Sequence, residues 1–147
     1  MLQVQKEFNQ FLELLKRNEV EFLIVGSYAR AYHGSPSFTG NIDIFVKPST
    51  ENAEKIVESL NSFGFGKKGI HEADLSDEGS IVQLGVPPIR IDIMTSITGV
   101  SWDEAYNGAV DGMYGDISVK FLGKKQYITN KKAVGRMKDL ADIEEIL

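Results

Sequence analysis

The sequence predicts a mixed β-sheet flanked by helices, an α/β (α+β) domain. Short apolar or alternating runs recur at 22–25, 41–46, 81–84, 89–94 and 117–121. Stretches with apolar residues at helical spacing separate them, and Gly, Pro and Ser punctuate the joins. Interleaved strand and helix patterns of this kind build a sheet with helices packed on it.

Val4, Phe8, Phe11, Leu12 and Leu15 repeat at helical spacing, so a helix spans about 3–18. Phe22-Leu23-Ile24-Val25 is a continuous apolar run ending at Gly26, the pattern of a strand buried on both faces. Residues 27–32 fit a short helix that His33-Gly34 ends, and 35–40 are a loop. In the strand 41–46, Ile42, Ile44 and Val46 alternate with Asn41, Asp43 and Phe45, which puts Asn41 and Asp43 on one face. Pro48-Ser49-Thr50 opens a helix with Ala53, Ile56, Val57, Leu60 and Phe63 inside, closed by Gly64 and Gly66. Residues 67–80 are polar and carry no clear periodicity. Ile81–Leu84 and Ile89–Met94 are two strands joined by Gly85-Val86-Pro87-Pro88; in the second, Arg90, Asp92 and Met94 share a face. Ser101-Trp102-Asp103-Glu104 has the form of a capping box, so a helix starts there. Ile117–Phe121 is a further strand. Helices at about 124–134 and 138–146 flank Gly135.

The 147 residues fit one domain, 1–147, with ordinary apolar (42%) and charged (25%) content. The absence of cysteine excludes disulfides, thiolate zinc sites and cysteine nucleophiles. A net charge of −5 speaks against a protein held on duplex DNA by its overall charge, while leaving room for a local basic patch. The amphipathic start shows neither a signal-peptide core nor a membrane span, so the expectation is a cytoplasmic protein without membrane attachment.

Three elements carry chemistry. A strand runs into Gly26-Ser27 at a helix start, a second bears Asn41-Ile42-Asp43, and a third places Asp92 between Ile91 and Ile93. Acidic or amide groups at i and i+2 on a strand point the same way, and a carboxylate on a neighbouring strand can complete a Mg²⁺ site or take a proton from an attacking hydroxyl. Without a Cβ at Gly26, phosphates can approach the backbone, and free N–H groups at the following helix start attract anions.

The pattern FLIVGSYARAYHG…FTGNIDIFV…IRIDIM resembles the nucleotidyltransferase superfamily that includes DNA polymerase beta and the aminoglycoside nucleotidyltransferases. Over about 20–147 the chain is similar to small prokaryotic members akin to the nucleotidyltransferase-like components of toxin–antitoxin systems. Those read His-Gly before Thr-x-Asp-hydrophobic-Asp, and end in Asn-Lys-x-Ala-x-Gly-Arg-x-Lys-Asp-Leu-x-Asp, as Asn130–Asp142 does here. The resemblance implies Mg²⁺ (or Mn²⁺) held by Asn41, Asp43 and Asp92, with Asp43 and Asp92 as the catalytic carboxylates. It implies a nucleoside triphosphate seated by Gly26 and Ser27, with Lys131 and Arg136 as candidate phosphate contacts. Its departure is Asn41, where the family has an Asp. An amide oxygen can ligate a metal but brings no charge. Either the site works with a weaker metal hold, or catalysis is impaired, or an Asp has been replaced here.

Other residues have plainer readings. Lys131 serves either phosphates or an ion pair with Asp139 and Asp142, whereas Lys138 and Asp139 read as a structural ion pair. Ser27 could equally be a helix cap. His33 reads as a helix-end residue, Thr39 as ordering the loop, and Trp102, Tyr28 and Tyr32 as packing. The implied function is Mg²⁺-dependent transfer of a nucleoside monophosphate to an acceptor hydroxyl on protein, RNA or a small molecule. The alternatives are a catalytically silent nucleotide-binding or interaction protein, and a toxin–antitoxin component regulated by a cognate protein partner.

Overall fold

A computed structural model describes residues 5–34, 40–64 and 69–147. Their elements run α1 (Lys6–Arg17), β1 (Phe22–Val25), α2 (Gly26–Tyr32), β2 (Asn41–Val46), α3 (Thr50–Phe63) and α4 (Ala73–Ser76). They continue as β3 (Ile81–Val86), β4 (Ile89–Met94), α5 (Trp102–Asn107), β5 (Val110–Tyr114), β6 (Ile117–Phe121), α6 (Lys124–Val134) and α7 (Met137–Glu144). Thr39 and Gly66 lie outside the described residues, as do Gln3 and Val4 at the start expected for the first helix.

The strands form one mixed sheet in the order β3-β4-β2-β1-β6-β5. The β2–β4 and β1–β6 pairs are parallel and the other three antiparallel. All four residues of β1 are buried because both faces of the sheet are covered there. On one face Phe22 and Ile24 join Ile42, Ile44, Ile91 and Ile93 beneath Phe8, Phe11 and Leu12 of α1 and Ile56 and Leu60 of α3. On the other, Leu23, Val25 and Phe45 meet Trp102, Ala105, Tyr127 and Ile146. This second layer closes over only part of its face and leaves the polar residues of β2 and β4 beside it.

Local chemistry sets the element ends. Ser49 accepts a hydrogen bond from the Asn52 N–H at 3.2 Å and caps α3, and Gly64 closes that helix in the left-handed conformation, φ 98°. The capping box of α5 is formed by Ser101 and Glu104. Two elements depart from the sequence expectation. β5 is an additional edge strand paired with β6, and α4 is a single turn within the polar stretch. Gly112 occupies the inward slot of β5, where the Tyr32 and Phe121 rings pack against its backbone. An apolar side chain that would have marked the alternation has no room there. β3 also runs two residues further than expected, to Val86.

Asn52 is buried and joins three segments. Its Oδ1 accepts from the Glu21 N–H at 2.8 Å, and its Nδ2 donates to the carbonyls of Glu21 (3.0 Å) and Lys47 (3.1 Å). The start of β1 and the end of β2 are thereby fixed to α3. Removing the amide takes the Glu21 N–H's partner and one of the two donors at each of the Glu21 and Lys47 carbonyls, which keep the Lys47 and Ser49 N–H groups, at a cost of about 2–3 kcal/mol. Asn52→Ala should lower the thermal midpoint by roughly 5–10 °C in calorimetry.

Candidate active site

β2 and β4 lie side by side and parallel, with Asp43 opposite Asp92 and Asn41 opposite Arg90. Adjacent carboxylates on one face repel, and the neighbouring side chains answer that repulsion. Asn41 Nδ2 donates to Asp43 Oδ1 at 3.0 Å and lies 3.4 Å from Asp92 Oδ2. The Arg90 guanidinium donates to Asp92 Oδ2 at 3.0 Å. The remaining oxygen, Asp92 Oδ1, is buried and has no hydrogen-bond donor among the described residues.

β1 ends against this pair, since Val25 is the register partner of Asp43. Gly26 follows with φ 65°, and a Cβ there would run into the Asp43 carboxylate, 2.9 Å from Cγ. Only glycine satisfies both the backbone turn and the close approach. A cavity of about 280 Å³ opens over the pair, walled by Gly26, Ser27, Arg30, Tyr127, Lys131 and Lys138.

The far wall is fixed by ion pairs. Arg30 of α2 reaches Asp142 of α7 at 2.6 Å and Glu145 at 3.3 Å. Lys131 lies 3.2 Å from both Asp139 and Asp142 and 5.6 Å from the centre of the Tyr127 ring. Arg136 Nε donates to Asp139 Oδ2 at 2.7 Å, and this exchange caps α7. The Arg136 and Lys131 hydrogen bonds to Asp139, whose side chain is fully covered, hold its carboxyl well below the usual carboxylate range. Burial lifts the Tyr127 hydroxyl to about 12, so it stays protonated in the cavity.

Burial, and then the neighbouring charge of Asp92, push the Asp43 carboxyl up from 3.8 to about 7; Arg90 and Asn41 only partly offset this. The pair thus meets neutral solution with an excess of negative charge that a proton can relieve. A divalent cation relieves it equally well and gives the orphaned Asp92 oxygen a partner, so these residues fit Mg²⁺ or Mn²⁺. Among the described residues no three carboxylates or imidazoles gather into a metal cage, because the third side chain at the pair is the Asn41 amide.

Asn41, Asp43, Asp92, Gly26, Ser27 and Lys131 all border this cavity, whereas Arg136 does not. Arg136 is turned to Asp139 instead. Lys138 borders the cavity and makes no ion pair among the described residues, so the expected Lys138–Asp139 pair is replaced by Lys131–Asp139 and Arg136–Asp139. Ser27 sits within α2, whose N-cap is Val25, so its expected capping role is absent. His33 Nε2 donates to the Leu122 carbonyl at 2.7 Å, and Trp102 and Tyr28 are buried, as their plain readings have it. The ion pair of Lys131 with Asp139 and Asp142, one of its two sequence readings, is present. Sequence reasoning missed Arg90, Arg30 and Tyr127. Arg90 was findable, because it shares Asp92's strand face; the other two reach the cavity only through the packing of α2 and α6.

The fold has solved counterparts. A Thermotoga maritima protein assigned as a nucleotidyltransferase (TM1012) aligns with a TM-score of 0.66 at 17% identity, over 97% of this chain and 94% of that one. The lincosamide antibiotic adenylyltransferase LnuA, solved with lincomycin bound, aligns with a TM-score of 0.57 at 14% identity, over 97% and 96%. The sequence matches no protein-family model and no curated protein. The chain therefore has a nucleotidyltransferase-like fold. Among the described residues no helix is long and apolar enough to cross a membrane.

Two outcomes follow from the crowded carboxylates. With a raised carboxyl value in the folded state, the unfolded chain loses its Asp43 proton near pH 4 while the folded chain keeps it to about 7. Stability contributed by this group therefore falls as pH rises through that window. Asp43→Asn should raise the midpoint of metal-free protein at pH 8 by about 2–4 °C and change it little at pH 4. Mg²⁺ or Mn²⁺ should stabilise the wild type more at pH 8 than at pH 5.5, and the variant at neither; scanning calorimetry at both pH values reads this. Gly26→Ala should lower the midpoint by at least about 2–4 °C, from the left-handed backbone alone.

Proposed function

We propose that this protein transfers a nucleoside monophosphate from a nucleoside triphosphate to an acceptor hydroxyl, with Mg²⁺ or Mn²⁺ bound at Asp43 and Asp92. The observation that carries this reading is the pairing of these two carboxylates on adjacent strands, one oxygen without a donor, facing Lys131 and Lys138 across one cavity. The fold shared with a lincosamide adenylyltransferase supports it.

A divalent cation at this site would supply charge neutralisation at the phosphates. The chain's own residues do the rest. The Gly26–Ser27 turn seats phosphate oxygens against backbone N–H groups, and Lys131 and Lys138 face them from the far wall. Asn41 steadies both carboxylates from below. The acceptor oxygen bonds to the α-phosphorus while the bond from that phosphorus to the β-bridging oxygen breaks, and pyrophosphate leaves with the electron pair. The acceptor proton passes to a carboxylate of the Asp43–Asp92 pair. Arg90 holds Asp92 through a hydrogen bond to Oδ2. Positioning and electrostatics supply the rate in such an in-line displacement.

A second reading rests on Asn41. Its amide donates toward both carboxylates, a place a cation would otherwise fill, and this favours a protein that binds nucleotide without turning it over.

The test is pyrophosphate release from ATP, GTP, CTP and UTP with Mg²⁺ or Mn²⁺, with RNA, protein and hydroxylated small molecules offered as acceptors. Asp43→Ala should lose on the order of 100-fold or more in rate. Asn41→Asp should lower the metal concentration needed for half-maximal rate. Metal-dependent nucleotide binding with no release by either the wild type or Asn41→Asp would overturn transfer in favour of the silent reading.

A further inference from the structure

Charge is distributed unevenly along this chain. Residues 124–138 hold six of the sixteen Lys+Arg and no Asp or Glu, which leaves ten cations against twenty-one acids elsewhere. Two of the six, Lys131 and Arg136, are occupied by Asp139 and Asp142. Lys124, Lys125, Lys132 and Lys138 make no ion pair among the described residues. Lys124, Lys125 and Lys132 line one open groove of about 570 Å³ with Ile128 and Thr129, and no carboxylate borders it. The same helix turns Tyr127 and Lys131 into the carboxylate cavity. α6 thus borders both the cavity and a groove whose charged residues are all lysines.

From this arrangement we infer that the groove on α6 binds the phosphate backbone of a single-stranded RNA whose terminal hydroxyl enters the neighbouring cavity as acceptor. The inference rests on the transfer reading above for the role of that hydroxyl, but the binding itself does not. Lys124 and Lys132 are eight residues apart, about 12 Å along the helix axis, a span suited to successive charges on an extended polymer. No aromatic ring lines the groove, so contacts fall on phosphates and not on base faces, and binding is tolerant of sequence. The acidic excess over the rest of the chain disfavours a polyanion there and thereby helps to orient it onto this face.

The experiment is fluorescence anisotropy of a labelled twelve-nucleotide oligouridylate with the full chain, in EDTA and without nucleotide. Saturable binding should weaken roughly 20-fold between 50 and 200 mM KCl, the slope for about three phosphate contacts on a single strand. The triple variant K124E/K125E/K132E should bind at least tenfold more weakly, whereas K124R/K125R/K132R should stay within about threefold of wild type. Absence of saturable binding, wild-type affinity in the charge-reversed variant, or equal competition by a polyglutamate peptide of matched charge would overturn the proposal, the last by identifying an acidic protein as the occupant. RNA binding without nucleotidyl transfer would refute only the transfer reading, and transfer without RNA binding would refute only this one.

Discussion

Two carboxylates forced side by side on parallel strands are the constraint around which this molecule is arranged. The β2–β4 register brings Asp43 and Asp92 together, and the fold cannot separate them without sliding a strand whose other face holds Ile42 and Ile44 in the core. Burial, and then their repulsion, which Arg90 and the Asn41 amide answer only in part, raise the Asp43 carboxyl well above its ordinary range. Across the cavity, Arg30, Lys131 and Lys138 complete a lining in which four cations, Arg90 included, face three carboxylates. A nearly balanced cavity of this kind can admit a polyphosphate together with its counter-cation at little net electrostatic cost.

Much of this was legible in the sequence, for definite reasons. β1 announced itself because a strand covered on both faces must be apolar throughout. Asn41 and Asp43 were placed on one face by the two-residue period alone, and the helix-opening residues Ser49 and Ser101 carry their function in their side chains. β5 was illegible because its middle inward position is Gly112, which breaks the apolar alternation a reader looks for. α4 is too short to show a period. At the site, Arg136 looked like a phosphate ligand because nothing in a linear reading reveals that Asp139 is covered and already claims it. Long-range partners such as Arg30 and Asp142, 112 residues apart, leave no local trace.

The fold is shared with a lincosamide adenylyltransferase at an identity too low to carry a substrate across. What individualises this chain is therefore in its particulars. One is an amide, Asn41, at the place where the resemblance leads one to expect a third carboxylate. Another is the concentration of lysine on α6 in a protein of net charge −5. Both bear on the cavity, the first from its floor and the second from its wall.

That floor and that wall are also held with different strength. β2 is an interior strand, paired along its length with β1 and β4, so its backbone amides exchange with solvent only when the sheet itself opens. α7 hangs from Ile143, Ile146 and a few ion pairs, with Met137 and Leu140 facing water. Its opening is a sub-global event of lower free energy. Loosening of the cavity wall therefore runs through α7, which the Arg30–Asp142 and Lys131–Asp142 contacts tie to α2 and α6.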